Sequence, residues 1–399
     1  VFVYDFGQNA SAIPRLQVRG QAGQVIRLTA AEQRHGQSPR TNDGRGRVNP
    51  AGVGHQYWEY TLRGGEEETW SPPFTYAGFQ YLELTGAIPL GLRNPNSLPV
   101  VNELVSIHVR NASPTVSAFE CSNDLLNKTE RLIDWAVRSN LSHVLTDCPH
   151  REKLGWLEVS YLMGPSIAAR YDIATFYAKV TRDIRESQGP EGEFYTVAPN
   201  YPSFSEGYRY SPCWGAAGVM VPWLLYGQYA DQRTLEENYP AMKRFVDYLA
   251  KTSTDLIARP GLGDWYDYGH GGRMGPSRFT PPEQTGTAIF HDCARVVAKT
   301  ARLLGKDSDA ARYSQLADRI KQKFNATYFN GTDEYQNLGS PQTANAMALE
   351  TGLVDPAHVR VVVDRIVADI RARGDQQTSG DVGFTYLVRA LARHGHNDI

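Results

Sequence analysis

The chain has 399 residues, 41% of them hydrophobic, and a formal net charge of -2. That is enough apolar chain for one large core and a smaller one, and the lack of a basic excess argues against nucleic acid or a membrane surface as partner. No apolar run reaches the roughly 18 residues of a membrane span. The four cysteines, Cys121, Cys148, Cys213 and Cys293, show no CxxC spacing for a zinc knuckle or a redox pair.

The chain opens on Val1, and residues 1–5 already read as a strand, so it is read as starting inside a domain. Period-2 alternation follows in Ile13-Pro-Arg-Leu-Gln-Val-Arg, Gln24-Val-Ile-Arg-Leu-Thr-Ala, Tyr57-Trp-Glu-Tyr-Thr-Leu and Phe79-Gln-Tyr-Leu-Glu-Leu. Gly20, Gly23, Gly64, Gly65, Pro72 and Pro73 punctuate these runs. Short strands with such turns predict an antiparallel β-sandwich over residues 1–115. Residues 34–53, polar and rich in Gly and Arg, are expected to form a long exposed loop.

From about residue 118 the period changes. Ser122-Asn-Asp-Leu-Leu has the cap-then-helix pattern and leads a helical run to Asn140. Helical patterns recur near 158–173, 174–187, 214–230, 234–252, 285–304, 308–327, 342–352, 355–373 and 382–395. Helices with no strands between them exclude a doubly wound sheet, and the lack of a sharp repeat argues against a solenoid. The expectation is a multidomain β plus all-α chain, with the β-sandwich followed over 118–399 by an (α/α)6 barrel. Such a barrel has twelve helices, so it is expected to be incomplete at its C-terminus.

The chemistry is concentrated in Thr146-Asp-Cys-Pro-His-Arg-Glu-Lys-Leu-Gly-Trp-Leu-Glu. Here Asp147, Glu152 and Glu158 share a Pro/Gly-containing stretch with Arg151, His150 and Trp156. A carboxylic acid against an aromatic wall can have its pKa raised by desolvation, as a general acid requires; Arg151 would oppose that shift or orient a second carboxylate such as Asp147. A salt-bridged interhelix loop is the plain alternative. Further aromatic loops follow at helix ends: Glu193-Phe-Tyr-Thr-Val-Ala-Pro-Asn-Tyr-Pro, Ser211-Pro-Cys-Trp-Gly, and Gly261-Leu-Gly-Asp-Trp-Tyr-Asp-Tyr-Gly. In a helical toroid they would converge on one end, where carboxylates and ring faces suit a neutral sugar. For Trp214 and Trp265 singly, buried helix-cap packing is the alternative. No phosphate loop, HExxH pair or GxSxG elbow is present, so neither a cofactor nor a metal is expected. The ten histidines read as structural or surface groups, with His150 and His270 set apart by their neighbours.

The stretch from Asp147 to Trp156 resembles the α-L-rhamnosidases of glycoside hydrolase family 78, whose signature is Asp-Cys-Pro-x-Arg followed by Glu and Gly-Trp. The similarity extends, in the family's order, to Tyr4-Asp-Phe-Gly-Gln-Asn, Phe74-Thr-Tyr-Ala-Gly-Phe-Gln-Tyr, Gly263-Asp-Trp-Tyr-Asp and Thr378-Ser-Gly-Asp-Val-Gly. The resemblance implies a β-sandwich before an (α/α)6 barrel and an inverting hydrolase of terminal α-L-rhamnose. It implies Glu152 as general acid, with Asp147, Arg151, Trp156, Trp214, Asp264 and Trp265 holding or walling the sugar. Two departures stand out. Many members carry an acidic residue three positions after the tryptophan, where this chain has Val159, and Glu158 is the candidate substitute. The family's general base lies in a Gly-Ala-Thr-Thr-x-Trp-Glu segment that residues 1–399 do not contain. The base is therefore expected beyond Ile399 and the present residues alone are expected to be inactive or nearly so. Two other readings fit the same residues: a carbohydrate-binding barrel without catalysis, and a glycosidase or lyase for another deoxy- or uronic sugar. The sequence leaves aglycone, linkage and compartment open, a secreted or periplasmic setting being the mild expectation.

Overall fold

The computed structural model describes residues 1–34, 48–49, 56–202, 204–268 and 275–399. The chain folds as two compact units. One comprises Val1–Ser113 and Ser117–Gly155, the other Pro114–Val116 and Trp156–Ile399. The expected division at 115–118 therefore differs from the observed one: residues 117–155 pack with the sheet, although they open the helical stretch in sequence.

The first unit holds β1 (Phe2–Arg19), β2 (Val25–Ala31), β3 (Gln33–Arg34), β4 (Val48–Asn49), β5 (Tyr57–Thr61), β6 (Glu68–Trp70), β7 (Ala77–Thr85), β8 (Ile88–Pro89), β9 (Val100–His108) and α1 (Asp124–Asn140). The period-2 reading holds in detail: Leu16, Val18, Ile26, Leu28 and Leu84 turn inward, while Arg15, Arg19 and Arg27 turn outward. The main sheet runs β5-β2-β7-β1-β9-β8, with β6 also on β1. All of its pairs are antiparallel except β8 with β9. The expected sandwich thus takes the form of one hydrogen-bonded network among the described residues, because β1 is long enough to serve two partners. Its Phe2–Ala12 part pairs with β7 and its Ala12–Arg19 part with β9. A register shift between Asp5 and Ala10, where Gly7 takes φ +75°, bends the strand between these tasks. Of the expected loop 34–53, only Arg34 and Val48–Asn49 are described, and β3 pairs with β4. α1 starts at Asn123, whose side chain accepts from Leu125 N at 2.9 Å, and packs on β1.

The second unit is helical, with no strand among its described residues. It contains α2 (Leu157–Leu162), α3 (Gly164–Arg170), α4 (Ala174–Glu186), α5 (Glu206–Arg209), α6 (Pro212–Gly215), α7 (Ala217–Tyr229) and α8 (Gln232–Thr252), then α9 (Pro282–Leu303), α10 (Asp307–Tyr328), α11 (Gln342–Glu350), α12 (Val359–Ala372) and α13 (Gly383–Arg393). Successive helices pack as neighbours: α7 with α8, α9 with α10, and α11 with both α12 and α13. α7 is apolar on nearly every face and six of its residues are buried, as a helix surrounded by others requires. Tyr177, Phe245, Phe290, Tyr313 and Trp214 fill the interior. No described helix is long and apolar enough to cross a membrane.

Candidate active site

In the first unit the acidic stretch forms a closed loop. The Asp147 amide donates to the Leu154 carbonyl at 3.1 Å, and the Leu154 amide donates back to Asp147 Oδ1 at 3.0 Å. Within this clasp the Glu152 amide donates to Cys148 Sγ at 3.2 Å. The loop lies directly on β7: a Cβ added at Gly78 would meet Pro149 Cγ at 2.7 Å, so only glycine admits this approach. Lys153 adopts a left-handed backbone, φ +56°, and its ammonium donates to the Tyr76 carbonyl at 2.6 Å while lying over the Tyr76 ring. That anchorage offsets the ~1–2 kcal/mol a non-glycine residue gives up there. The loop is thus held on both sides of Glu152, whose own side chain is exposed. Arg151 Nη1 pairs with Glu32 at 2.9 Å, so of the two parts the sequence left open for Arg151 it takes that of holding a second carboxylate, here Glu32. His150 is buried, and burial lowers its pKa; His270 lies outside the described residues.

In the second unit, ring contacts run in a continuous strip. Trp156 stacks on Phe204 with centroids 5.2 Å apart, and Phe204 meets Tyr208 at 6.5 Å. Tyr208 meets the edge of Trp265 at 5.8 Å, and Trp265 meets Tyr266 at 5.4 Å. Trp156 is fixed by its position at the start of α2, where the Leu157 amide donates to the Thr196 carbonyl at 2.9 Å. None of these five rings is fully buried, and Tyr208 keeps 44% of its surface open. Interior side chains would gain nothing from such exposure, so the strip reads as a surface for a ligand with apolar faces.

Residues 114–399 match the bacterial α-L-rhamnosidase 6 hairpin glycosidase domain, and residues 1–104 match the bacterial α-L-rhamnosidase concanavalin-like domain. The chain belongs to the bacterial α-L-rhamnosidase family. It is 34% identical to an α-L-rhamnosidase of Streptomyces avermitilis over 410 residues, covering 100% of this chain and 36% of that protein. The crystal structure of the Streptomyces avermitilis α-L-rhamnosidase complexed with L-rhamnose superposes with a TM-score of 0.85 at 33% identity, again over 100% of this chain and 36% of that one. The α-L-rhamnosidase from Dictyoglumus thermophilum gives 0.87 at 31% identity, over 99% of this chain and 43% of that one. The chain therefore spans well under half the length of these relatives.

Three residues expected to touch the sugar are interior in this member of the α-L-rhamnosidase family. Trp214 is only 2% exposed, on α6. Asp264 is 1% exposed and accepts from Thr343 Oγ1 at 2.7 Å, the Gly380 amide at 2.9 Å and the Gly383 amide at 2.7 Å. Glu158 is 8% exposed, on α2. The structure thus places these three expected site residues in the interior of the helical unit. Asp264 holds the 378–383 segment against the Trp265 loop; burial raises its pKa although all three donors oppose the rise. Asp267 holds the other side of that loop, accepting from the Arg278 and Phe279 amides at 2.7 Å each. Phe204 and Tyr208 are not among the expected site residues. Their signal in the sequence is a cluster of three aromatics in a short polar stretch, Tyr201-Pro-Ser-Phe-Ser-Glu-Gly-Tyr, which has no run of apolar residues at helical spacing to bury them. Among the described residues no group of three or more His, Cys, Asp or Glu side chains is placed to hold a metal ion.

Proposed function

We propose that the full-length protein hydrolyses terminal α-L-rhamnose from rhamnosides or rhamnose-containing polysaccharides with inversion at the anomeric carbon. The aromatic strip from Trp156 to Tyr266 is the observation that carries this reading. A 6-deoxyhexose presents C–H faces and a methyl group, and these lie favourably against indole and phenol rings. Family membership directs that general affinity for sugar faces to rhamnose.

In this reading Glu152 is the general acid. Its backbone is pinned by the Asp147–Leu154 clasp and by Lys153, and the residue is exposed, which places a carboxyl on a fixed stretch of chain within reach of a ligand. Asp147 and Arg151 contribute to holding sugar hydroxyls, Arg151 with one arm already on Glu32. Trp156 and Trp265 supply ring faces, and Trp214, Asp264 and Glu158 act from the interior by support. Inversion needs a second carboxyl roughly 6.5–9.5 Å away to activate water, and we assign no such base among residues 1–399.

Proton NMR of a rhamnoside hydrolysed by the full-length protein tests the reading. The expected first product is the β-anomer of L-rhamnose. Early appearance of the α-anomer would contradict inversion. Binding of L-rhamnose without any release would support a carbohydrate-binding protein instead.

A further inference from the structure

The Thr378–Gly383 motif is bound to the Trp265 loop by its backbone. The Asp381 amide donates to the Trp265 carbonyl at 2.8 Å, and the Tyr268 amide donates to the Thr378 carbonyl at 2.9 Å. The amides of Gly380 and Gly383, on either side of Asp381, both donate to the buried Asp264. A Cβ at Gly380 would collide with the Trp265 carbonyl and the Asp267 amide, so this segment lies flat on the loop and admits no side chain there. Asp381 is thereby fixed beside Trp265, which is in the aromatic strip, and next to the exposed Tyr266 and Tyr268.

The Asp381 side chain is exposed and makes no hydrogen bond or ion pair among the described residues. The surrounding atoms nevertheless withdraw enough solvent to push its carboxyl up to about 6, with the nearby Asp264 adding to the rise. An ordinary acidic residue just before a helix, here α13, would be shifted the other way, since the helix dipole favours the carboxylate. Holding an anionic side chain in that setting, with no ion pair to it among the described residues, costs stability, which is the pattern of a group kept for a ligand.

We propose that Asp381 is a sugar-binding carboxylate, accepting hydroxyls of the deoxyhexose whose apolar face rests on the Trp265 end of the aromatic strip. This rests on the rhamnosidase reading above. A 6-deoxyhexose carries vicinal hydroxyls on carbons 2, 3 and 4, and two carboxylate oxygens on a fixed backbone accept a neighbouring pair of them together. Hydrogen bonds to a charged acceptor are the stronger kind, and losing them lowers affinity by about 10- to 100-fold.

The test is Asp381→Asn in the full-length protein, isosteric and uncharged, beside Asp381→Glu. L-Rhamnose affinity is measured by calorimetry, kcat and KM on an aryl rhamnoside by release of the phenol, and thermal midpoints are recorded for each variant. The expected result for Asp381→Asn is about 10- to 100-fold weaker rhamnose binding with a matching rise in KM, partial recovery in Asp381→Glu, and a thermal midpoint at or above that of wild type. Wild-type rhamnose affinity in Asp381→Asn would overturn the inference, as would a loss confined to kcat. A wild-type protein that neither binds L-rhamnose nor hydrolyses the rhamnoside would remove the rhamnosidase reading, and this inference with it.

Discussion

Asp264→Ala probes how the Trp265 loop is held. The wild-type carboxylate accepts from two buried amides, Gly380 and Gly383, and from the Thr343 hydroxyl. Thr343 has a second partner, Ser379 Oγ at 2.9 Å, so its hydroxyl is re-accommodated. The two amides lose their acceptor, at about 1–3 kcal/mol for each buried donor left unmade. Removing a carboxylate that burial disfavours returns part of this, since its pKa is raised. The net expectation is about 2–4 kcal/mol of local stability. Amide hydrogen exchange reads that locally, without assuming that a chain of two units unfolds in one step. The Gly380 and Gly383 amides should exchange about 30- to 1000-fold faster in the variant. The sign with pH follows from the raised pKa, which burial sets against the clasp: the net stability from this carboxyl is fully present below the usual carboxylate range and lost as pH rises through the folded value. Wild-type protection of both amides in Asp264→Ala would refute the clasp.

Leu28→Ala removes a side chain from the sheet core formed with Leu16, Ile26 and Leu84, and should cost about 2–5 kcal/mol, read as a lower denaturant midpoint of the first unit. On α9, burial pushes the Asp292 carboxyl up to about 6, against the attraction of Arg295. Stability from this group is therefore present below the usual carboxylate pKa and lost as pH rises through 6. Its side chain keeps 24% of its surface, so Asp292→Asn should gain only about 1–3 kcal/mol on wild type between acid pH and pH 7, measured by denaturation at each pH. The neighbouring His291, lowered to about 3 by burial with Arg295 and Lys321 adding, works in the opposite sense and loses stability as pH falls below the usual histidine value.

The helices are legible in the sequence because their apolar periodicity is a local property. The pattern near 285–304 corresponds to Pro282–Leu303, and that near 308–327 to Asp307–Tyr328. The pattern near 158–173 divides into α2 and α3, where Gly164-Pro165 opens a new helix rather than continuing the old one. What an amphipathic helix packs on is not local, and α1, which opens the helical stretch in sequence, belongs to the sheet unit. A similar limit applies to β1, whose alternation marks a strand but not the two partners it serves. In the helical unit Trp156 and Trp265 stand in the ring strip, while in the first unit Glu152 is exposed, without the desolvation that the sequence pattern led one to expect. Trp214 and Asp264 stand inside. Asp264 is oriented by amides 116 and 119 residues further along the chain, a distance over which residue spacing carries no signal.

Glu152→Gln in the full-length protein distinguishes a general acid from a carboxylate that only holds the sugar. A general acid protonates an oxygen that becomes basic only as the glycosidic bond breaks, so its contribution of about 10²–10⁴-fold belongs to the transition state. Turnover of an alkyl or glycosyl rhamnoside should fall by that factor while rhamnose binding stays near wild type. A nitrophenyl rhamnoside, whose phenol leaves without a proton, should be affected far less. Asp147→Asn should instead impair both substrates, since a sugar-holding carboxylate serves whichever group departs. Equal loss on the alkyl and nitrophenyl rhamnosides in Glu152→Gln would contradict the assignment of Glu152 as the acid.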